Sequence, residues 1–298
     1  MTIFDAIKSL ILILIILLIA PFALHEINQK YANFSDNRTH IGVLPIRGII
    51  YDSSFYVEQL QQFFTNPEIK GIVLKLECPG AACGTAETIY TEIQALKRQY
   101  PKPVIGLIEN ICTAGGYWIA CATDYLIAPG TAIIGTIGAT LPPLFRCKDF
   151  MEQHHIKYSD VKAETYQSIL NPFVELNTQE KELLQTMLQD TYQQFIHLVA
   201  QARKISLAKI DQWADGKTFT GQQAYKLHLI DEIGSQQRVM AILKQKALIE
   251  GDIKWIYPPI SSHWAETMFG MSNVHEVGMA KNFFDGVCSL LPIIKSSI

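Results

Sequence analysis

Two short glycine-bearing turns carry the residues best suited to chemistry. The segment Thr113-Ala114-Gly115-Gly116-Tyr117-Trp118 reads as a sharp strand-to-helix elbow of the kind that presents a nucleophile. A hydroxyl is expected just before the glycine pair, and Ala114 supplies only a methyl group there. The second turn, Cys78-Pro79-Gly80-Ala81, also follows a short apolar run. Turns of this type aim backbone N–H groups into the crevice at the ends of strands, and a helix opening at Gly115 adds its positive dipole end. Two such donors make an oxyanion hole, the main electrostatic requirement of acyl transfer. Gly80, Ala81 and Gly115 are the candidate donors. Glycine serves there by letting two backbones approach closely.

The neighbouring nucleophile candidates are weaker. Along an extended approach, Thr113 points to the opposite side from Ala114. Cys112 shares Ala114's side but lies ~6–7 Å back along the strand. Thr136 is a lone hydroxyl with no base beside it in sequence.

The elements that must position these turns alternate. Ile41–Ile46 reads as a first strand, Val57–Phe64 as a helix closed by Asn66-Pro67, and Gly71–Leu76 as a short buried strand ending in a turn at Cys78-Pro79-Gly80. Ile89, Ile93 and Leu96 recur at helical spacing. Val104–Ile108 is a further apolar strand that runs into the elbow, and Tyr125–Ala128 is another. Strands alternating with helices imply an α/β domain built of βαβ units. Asn177 or Thr178, with Glu180 in the first turn, caps a long helix bearing the stripe Leu184, Met187, Leu188, Tyr192, Phe195 and Val199. Such a stripe faces a core or, at this spacing, an oligomer contact. Thr220 with Gln223 forms a capping box for a later helix.

Four segments follow from the patterning. Residues 1–25 contain SLILILIILLIAPFAL, close to the ~20 apolar residues that span a bilayer, and read as an uncleaved N-terminal anchor. Residues 26–39 are a polar connector, 40–246 the α/β domain, and 247–298 a C-terminal extension. The extension includes a strand near Ile253–Tyr257 and the apolar end segment FFDGVCSLLPII, too short to span. The 298-residue chain is 49% hydrophobic, enough for a sizeable core. Its net charge of −3 argues against nucleic acid as a partner. Among the six cysteines, Cys78 and Cys83 are spaced for a disulfide in an exported domain; the other reading is that all six are small buried hydrophobes. There is no C-x-x-C pair, the histidines are scattered, and neither a metal nor a cofactor is expected.

The run AGGYWIACATDYLIA within Val104–Ala128 resembles the signal peptide peptidase A family of membrane-bound serine proteases, peptidase family S49. The resemblance continues at Gly135-Thr136-Ile137-Gly138, at Lys162–Pro172, at Ala214–Gly221, and at Ala224–Gly234, where His228 stands at a position that is usually glycine. It covers roughly residues 40–240. It implies a ClpP/crotonase-like fold preceded by a membrane anchor, ring-like homo-oligomers, and peptide or signal-peptide segments as substrates. It also implies a place at the bacterial inner membrane with the domain on the extracytoplasmic side. The family's chemistry is a Ser–Lys dyad, in which a lysine with a lowered pKa takes the serine proton. The resemblance puts Ala114 at the serine position and Gln167 at the lysine position, with Lys162 at an earlier, more solvated lysine of the same loop. An amide has no useful basicity. Ala81 stands where the family has glycine. The implied reading is a peptide-binding pseudoprotease or oligomeric scaffold. An active peptidase with displaced groups and a non-enzymatic membrane assembly factor are the alternatives.

Overall fold

The computed structural model describes residues 38–141, 145–164 and 166–258. The anchor and the apolar end segment expected from the sequence lie outside the described residues. Among the described residues, no helix is long and apolar enough to cross a membrane.

The chain opens with β1 (Thr39–Ile50), α1 (Ser54–Thr65), β2 (Ile69–Ala81), α2 (Cys83–Gln99) and β3 (Val104–Thr113). Next come α3 (Gly115–Ala120), β4 (Tyr125–Ala128), β5 (Ile133–Gly135), α4 (Lys148–Gln153) and α5 (Thr178–Arg203). After a 3-10 turn follow α6 (Ile210–Trp213), β6 (Thr218–Thr220), α7 (Gly221–Lys226), β7 (Glu232–Ile233), α8 (Gln236–Lys246) and β8 (Ile253–Ile256). The result is a mixed α/β sheet ordered β6-β5-β3-β2-β1-β8, with β4 beside β3 and β7 beside β4. All pairings are parallel except β5 with β6. The described residues up to Ile256 belong to one compact unit, so β8, which the sequence reading sets apart in the C-terminal extension, is the edge strand beside β1.

Strand alternation explains the two-sided core. Leu44, Ile46, Leu74, Leu76 and Ile108 face the layer of α1, α2, α3 and α5. Ile41, Val43, Val73, Ile105 and Leu107 face Val239, Ile242 and Leu243 of α8. A parallel sheet covered on both faces needs near-continuous apolar strands, which is why β2 reads Ile-Val-Leu-Lys-Leu. Each fully buried Leu or Ile side chain contributes about 1.5–3 kcal/mol. On α2, Ala86, Ile89, Ile93 and Leu96 form the buried face.

Two strands run further than their apolar stretches suggest. The expected turn at Cys78-Pro79-Gly80 is the last part of β2, continuing past an irregularity in its pairing with β3. Proline and glycine ordinarily break a strand, but β1 continues alongside and pairs Ile49 with Gly80 and Ile50 with Ala81. Helix α5 starts at the expected cap: the Glu180 N–H donates to Asn177 Oδ1 at 2.8 Å, and the Asn177 N–H donates to Glu180 Oε2 at 2.9 Å. Its stripe divides along its length. Phe195 and Val199 are core residues, Leu184 is buried, and Met187 is 53% exposed. The Thr220–Gln223 capping box is also present.

Candidate active site

β2 and β3 end side by side, with Cys78 opposite Cys112 in the ladder. A single residue then joins each strand to its helix: Ala82 before α2 and Ala114 before α3. Ala114 has φ 49° and ψ −124°. This backbone conformation is rare for any residue with a side chain and strains it by about 1–3 kcal/mol. The strain is held from both sides. The Ala114 N–H donates to the Gly135 carbonyl at 2.9 Å, and the Ala114 carbonyl accepts from the Trp118 N–H at 3.1 Å. The turn presents a half-buried methyl at its apex.

The glycine pair lets this elbow sit on β2. A β-carbon on Gly115 would lie 2.7 Å from both the amide nitrogen and the carbonyl oxygen of Ala81. One on Gly116 would lie 2.4 Å from the Cys78 carbonyl oxygen. The Ala82 N–H donates to the Ile50 carbonyl on β1 at 2.9 Å. Amide directions alternate along a strand, so the Ala81 N–H is directed to the other side, where Gly115 lies. As the first residue of α3, Gly115 has an N–H with no intrahelical acceptor. Ala81 and Gly115 thus bring two backbone donors to one place beside Ala114. The same alternation turns the Gly80 amide toward β1, so Gly80 contributes open space above the turn instead of a donor.

The other reactive side chains face away or are sealed. Thr113 is buried, and its hydroxyl donates to the Pro79 carbonyl at 2.7 Å. Thr136 follows β5 with its own left-handed backbone, φ 50°, and its N–H is bound to the Lys217 carbonyl. Cys112 is fully buried, and desolvation pushes its thiol well above the usual range. Burial likewise raises Cys78, whose Sγ lies 3.0 Å from the Gly80 carbonyl oxygen, and pushes Cys121 up to about 12. A neutral thiol is a poor nucleophile. Cys78 and Cys83 are both free, contrary to the disulfide reading: the first is sealed beneath the elbow and the second is exposed on α2. Among the described residues, Cys78, Cys112 and Cys121 are the buried cysteines and Cys147 is half-buried. No group of three or more His, Cys, Asp or Glu among the described residues is placed to hold a metal ion.

Gln167 lies in an exposed turn of the excursion between β5 and α5. Arg146 organises part of this excursion by donating to the carbonyls of Asn171 and Val174. Lys162 is exposed, as expected, and its ammonium also contacts the hydroxyl of Ser168. Ser168 is 4% exposed and was not singled out from the sequence. A serine beside the base position is the only sequence signal for it.

Behind the elbow, α3 is fixed rigidly. The buried Tyr117 hydroxyl donates to the Leu229 carbonyl at 2.6 Å. Trp118 stacks on Phe195 of α5 with ring centroids 4.8 Å apart. Arg203 pairs with Asp231 at 2.8 Å, and Asp231 also accepts from the Leu126 N–H.

The sequence has relatives among known proteins. A putative protease of Methanocaldococcus jannaschii is 30% identical over 196 residues, covering 66% of this chain and 62% of the relative. A putative protease of Synechocystis is 30% identical over 166 residues, covering 56% of this chain and 59% of the relative. Protease 4 of Haemophilus influenzae is 29% identical over 209 residues, covering 65% of this chain and 33% of the relative. The chain therefore spans about three-fifths of the first two relatives and a third of the last. The family model of peptidase family S49 matches residues 96–250, just over half of the chain and the whole stretch from the end of α2 past α8. The chain belongs to peptidase family S49.

Proposed function

We propose that this chain is a peptide-binding member of its family that has lost the Ser–Lys chemistry. In this reading it is a membrane-anchored pseudoprotease that holds extended peptide or signal-peptide segments. Its ClpP/crotonase-like domain forms ring-like homo-oligomers on the extracytoplasmic side of a bacterial inner membrane. The observation that supports it best is Ala114, which keeps the strained elbow at φ 49° while offering only a methyl group.

Hydrolysis of a peptide bond needs a nucleophile, a base and an oxyanion hole. At Ala114 there is no hydroxyl to attack, and at Gln167 an amide that cannot take a proton. Acyl-transfer sites stripped of nucleophile and base keep only the ~10³–10⁴-fold contributed by the hole and by binding. The Ala81 and Gly115 amides are suited to donate to a peptide carbonyl. Two such hydrogen bonds add about 1–3 kcal/mol, so affinity also draws on contacts along the peptide.

The test uses the full chain in a non-ionic detergent with fluorescent extended peptides. Saturable anisotropy with peptides that stay intact by mass spectrometry is the expected result. Cleavage by the purified chain that disappears in Thr113→Val or Cys112→Ala would overturn the reading.

The Lys162–Ser168 contact favours one other reading, an active peptidase with displaced groups. Ser168 is buried at 4% exposure, which counts against its hydroxyl reaching a peptide bond. A fluorophosphonate adduct mapped to Ser168 would establish this alternative. Unlabelled Ser168 in folded protein would dispose of it.

A further inference from the structure

The ends of α5 and α7 meet the segment leading into β7 around a hollow of about 500 Å³. Its wall carries Arg203, Lys204, Lys226 and His228 against one carboxylate, Asp231. With His228 neutral, the wall has an excess of two positive charges. Arg203 is fixed: it holds Asp231, and its Nε donates to the His228 carbonyl at 3.1 Å. The side chains of Lys204, Lys226 and His228 make no hydrogen bond or ion pair among the described residues, and neither does the Tyr225 hydroxyl.

Part of this charge has a structural reason. Arg203 and Lys226 lie in the last turns of their helices, where cations complement the carbonyl ends. Lys204 and His228 are different. Both lie beyond the helix ends in left-handed backbone, at φ 54° and 59°. Glycine or asparagine adopts that conformation more easily, especially just after a helix. Two strained cationic or ionisable residues therefore stand in the wall of one hollow with their side chains unpartnered. Strain kept at a cleft is a signature of a binding role.

The ligand's chemistry follows from the donors. The Arg203 fork is already occupied, which removes the group best shaped for a planar carboxylate. The remaining donors are two ammonium groups, an imidazole and a phenol on exposed side chains, Lys204 from the end of α5 and the other three from the end of α7, which can converge on a tetrahedral acceptor. The two helix carbonyl ends, each roughly −0.5 charge, subtract from the field and leave an excess of about one positive charge to hold an anion. We propose that this hollow binds a phosphate group through Lys204, Lys226 and His228.

Inorganic phosphate titrated calorimetrically into the full chain in non-ionic detergent at low chloride provides the test. One saturable site is expected. Lys204→Gly with His228→Gly should weaken it at least tenfold while raising the thermal midpoint measured without phosphate, because glycine relieves both positive φ angles. Lys226→Met, which leaves the backbone alone, should weaken it similarly. Absence of saturable binding at millimolar phosphate, or unchanged affinity in these variants, would overturn the proposal. Vesicles containing phosphatidic acid carry the same phosphate monoester. If they compete with phosphate and phosphatidylcholine vesicles do not, a lipid headgroup is the source; if neither competes, it is a soluble phosphate.

Discussion

Gly115 lies against Ala81 so closely that a β-carbon on it would come within 2.7 Å of the Ala81 backbone on two sides. This contact joins the ends of β2 and β3 and sets two amide donors next to Ala114. The neighbouring Gly116 is tighter still, and the atom in its way is the Cys78 carbonyl oxygen, which has no flexible end to move. Gly116→Ala should therefore destabilise the fold by about 3 kcal/mol or more, through overpacking against backbone. Thermal unfolding of the full chain in detergent measures this. A shift of under a degree would mean that the elbow relaxes away from β2.

Ala114→Gly should act in the opposite direction. Relief of the φ 49° strain outweighs the added freedom of glycine in the unfolded chain, for a net gain of about 1 kcal/mol. At this chain length that is a rise of roughly 2–4 °C in the thermal midpoint. A lowered midpoint would show that the elbow conformation is not strained. The same comparison made with Ala120→Gly, inside α3, should lower the midpoint.

The buried thiols predict an alkaline weakness. Cys121 titrates at about 12 when folded, against an ordinary value near 9. Below the ordinary value both folded and unfolded chains keep the proton, and this source of stability is fully present. Above it the unfolded chain loses the proton first, so stability falls as pH rises from about 9 toward 12, by up to about 1.4 kcal/mol per pH unit for each such thiol. Unfolding free energies measured across that range should fall in this way, and Cys121→Ala should flatten that pH dependence. In the native chain at neutral pH, iodoacetamide should mark the exposed Cys83 and spare Cys78, Cys112 and Cys121. Rapid labelling of Cys112 would show a reactive thiol at the elbow.

The strand–helix alternation was legible because a two-sided parallel sheet demands apolar runs such as Ile72–Leu76 and helix faces such as Ile89–Ile93–Leu96. The caps at Asn177 and Thr220 were legible because they depend on local spacing alone. What local pattern missed was settled by neighbours. β2 continues through Pro79 and Gly80 because β1 runs beside it. Of the candidates Gly80 and Ala81, the direction of amides along the strand leaves the donor role to Ala81, which composition does not encode. Ser168 escaped notice because its burial and its Lys162 partner arise from the folding of an irregular excursion. The departure at Ala114 was readable from sequence. That the elbow keeps its conformation without a hydroxyl was not.

Peptidase activity of the wild-type chain beside Ala114→Ser/Gln167→Lys, on the same extended peptides, tests the central claim most directly. The account predicts no turnover by wild type or by Ala114→Ser alone. The double variant should give weak but measurable hydrolysis, and adding Ala81→Gly should increase it if the alanine Cβ crowds the peptide carbonyl. Turnover by the wild-type chain at a rate equal to or above that of the double variant would contradict the account.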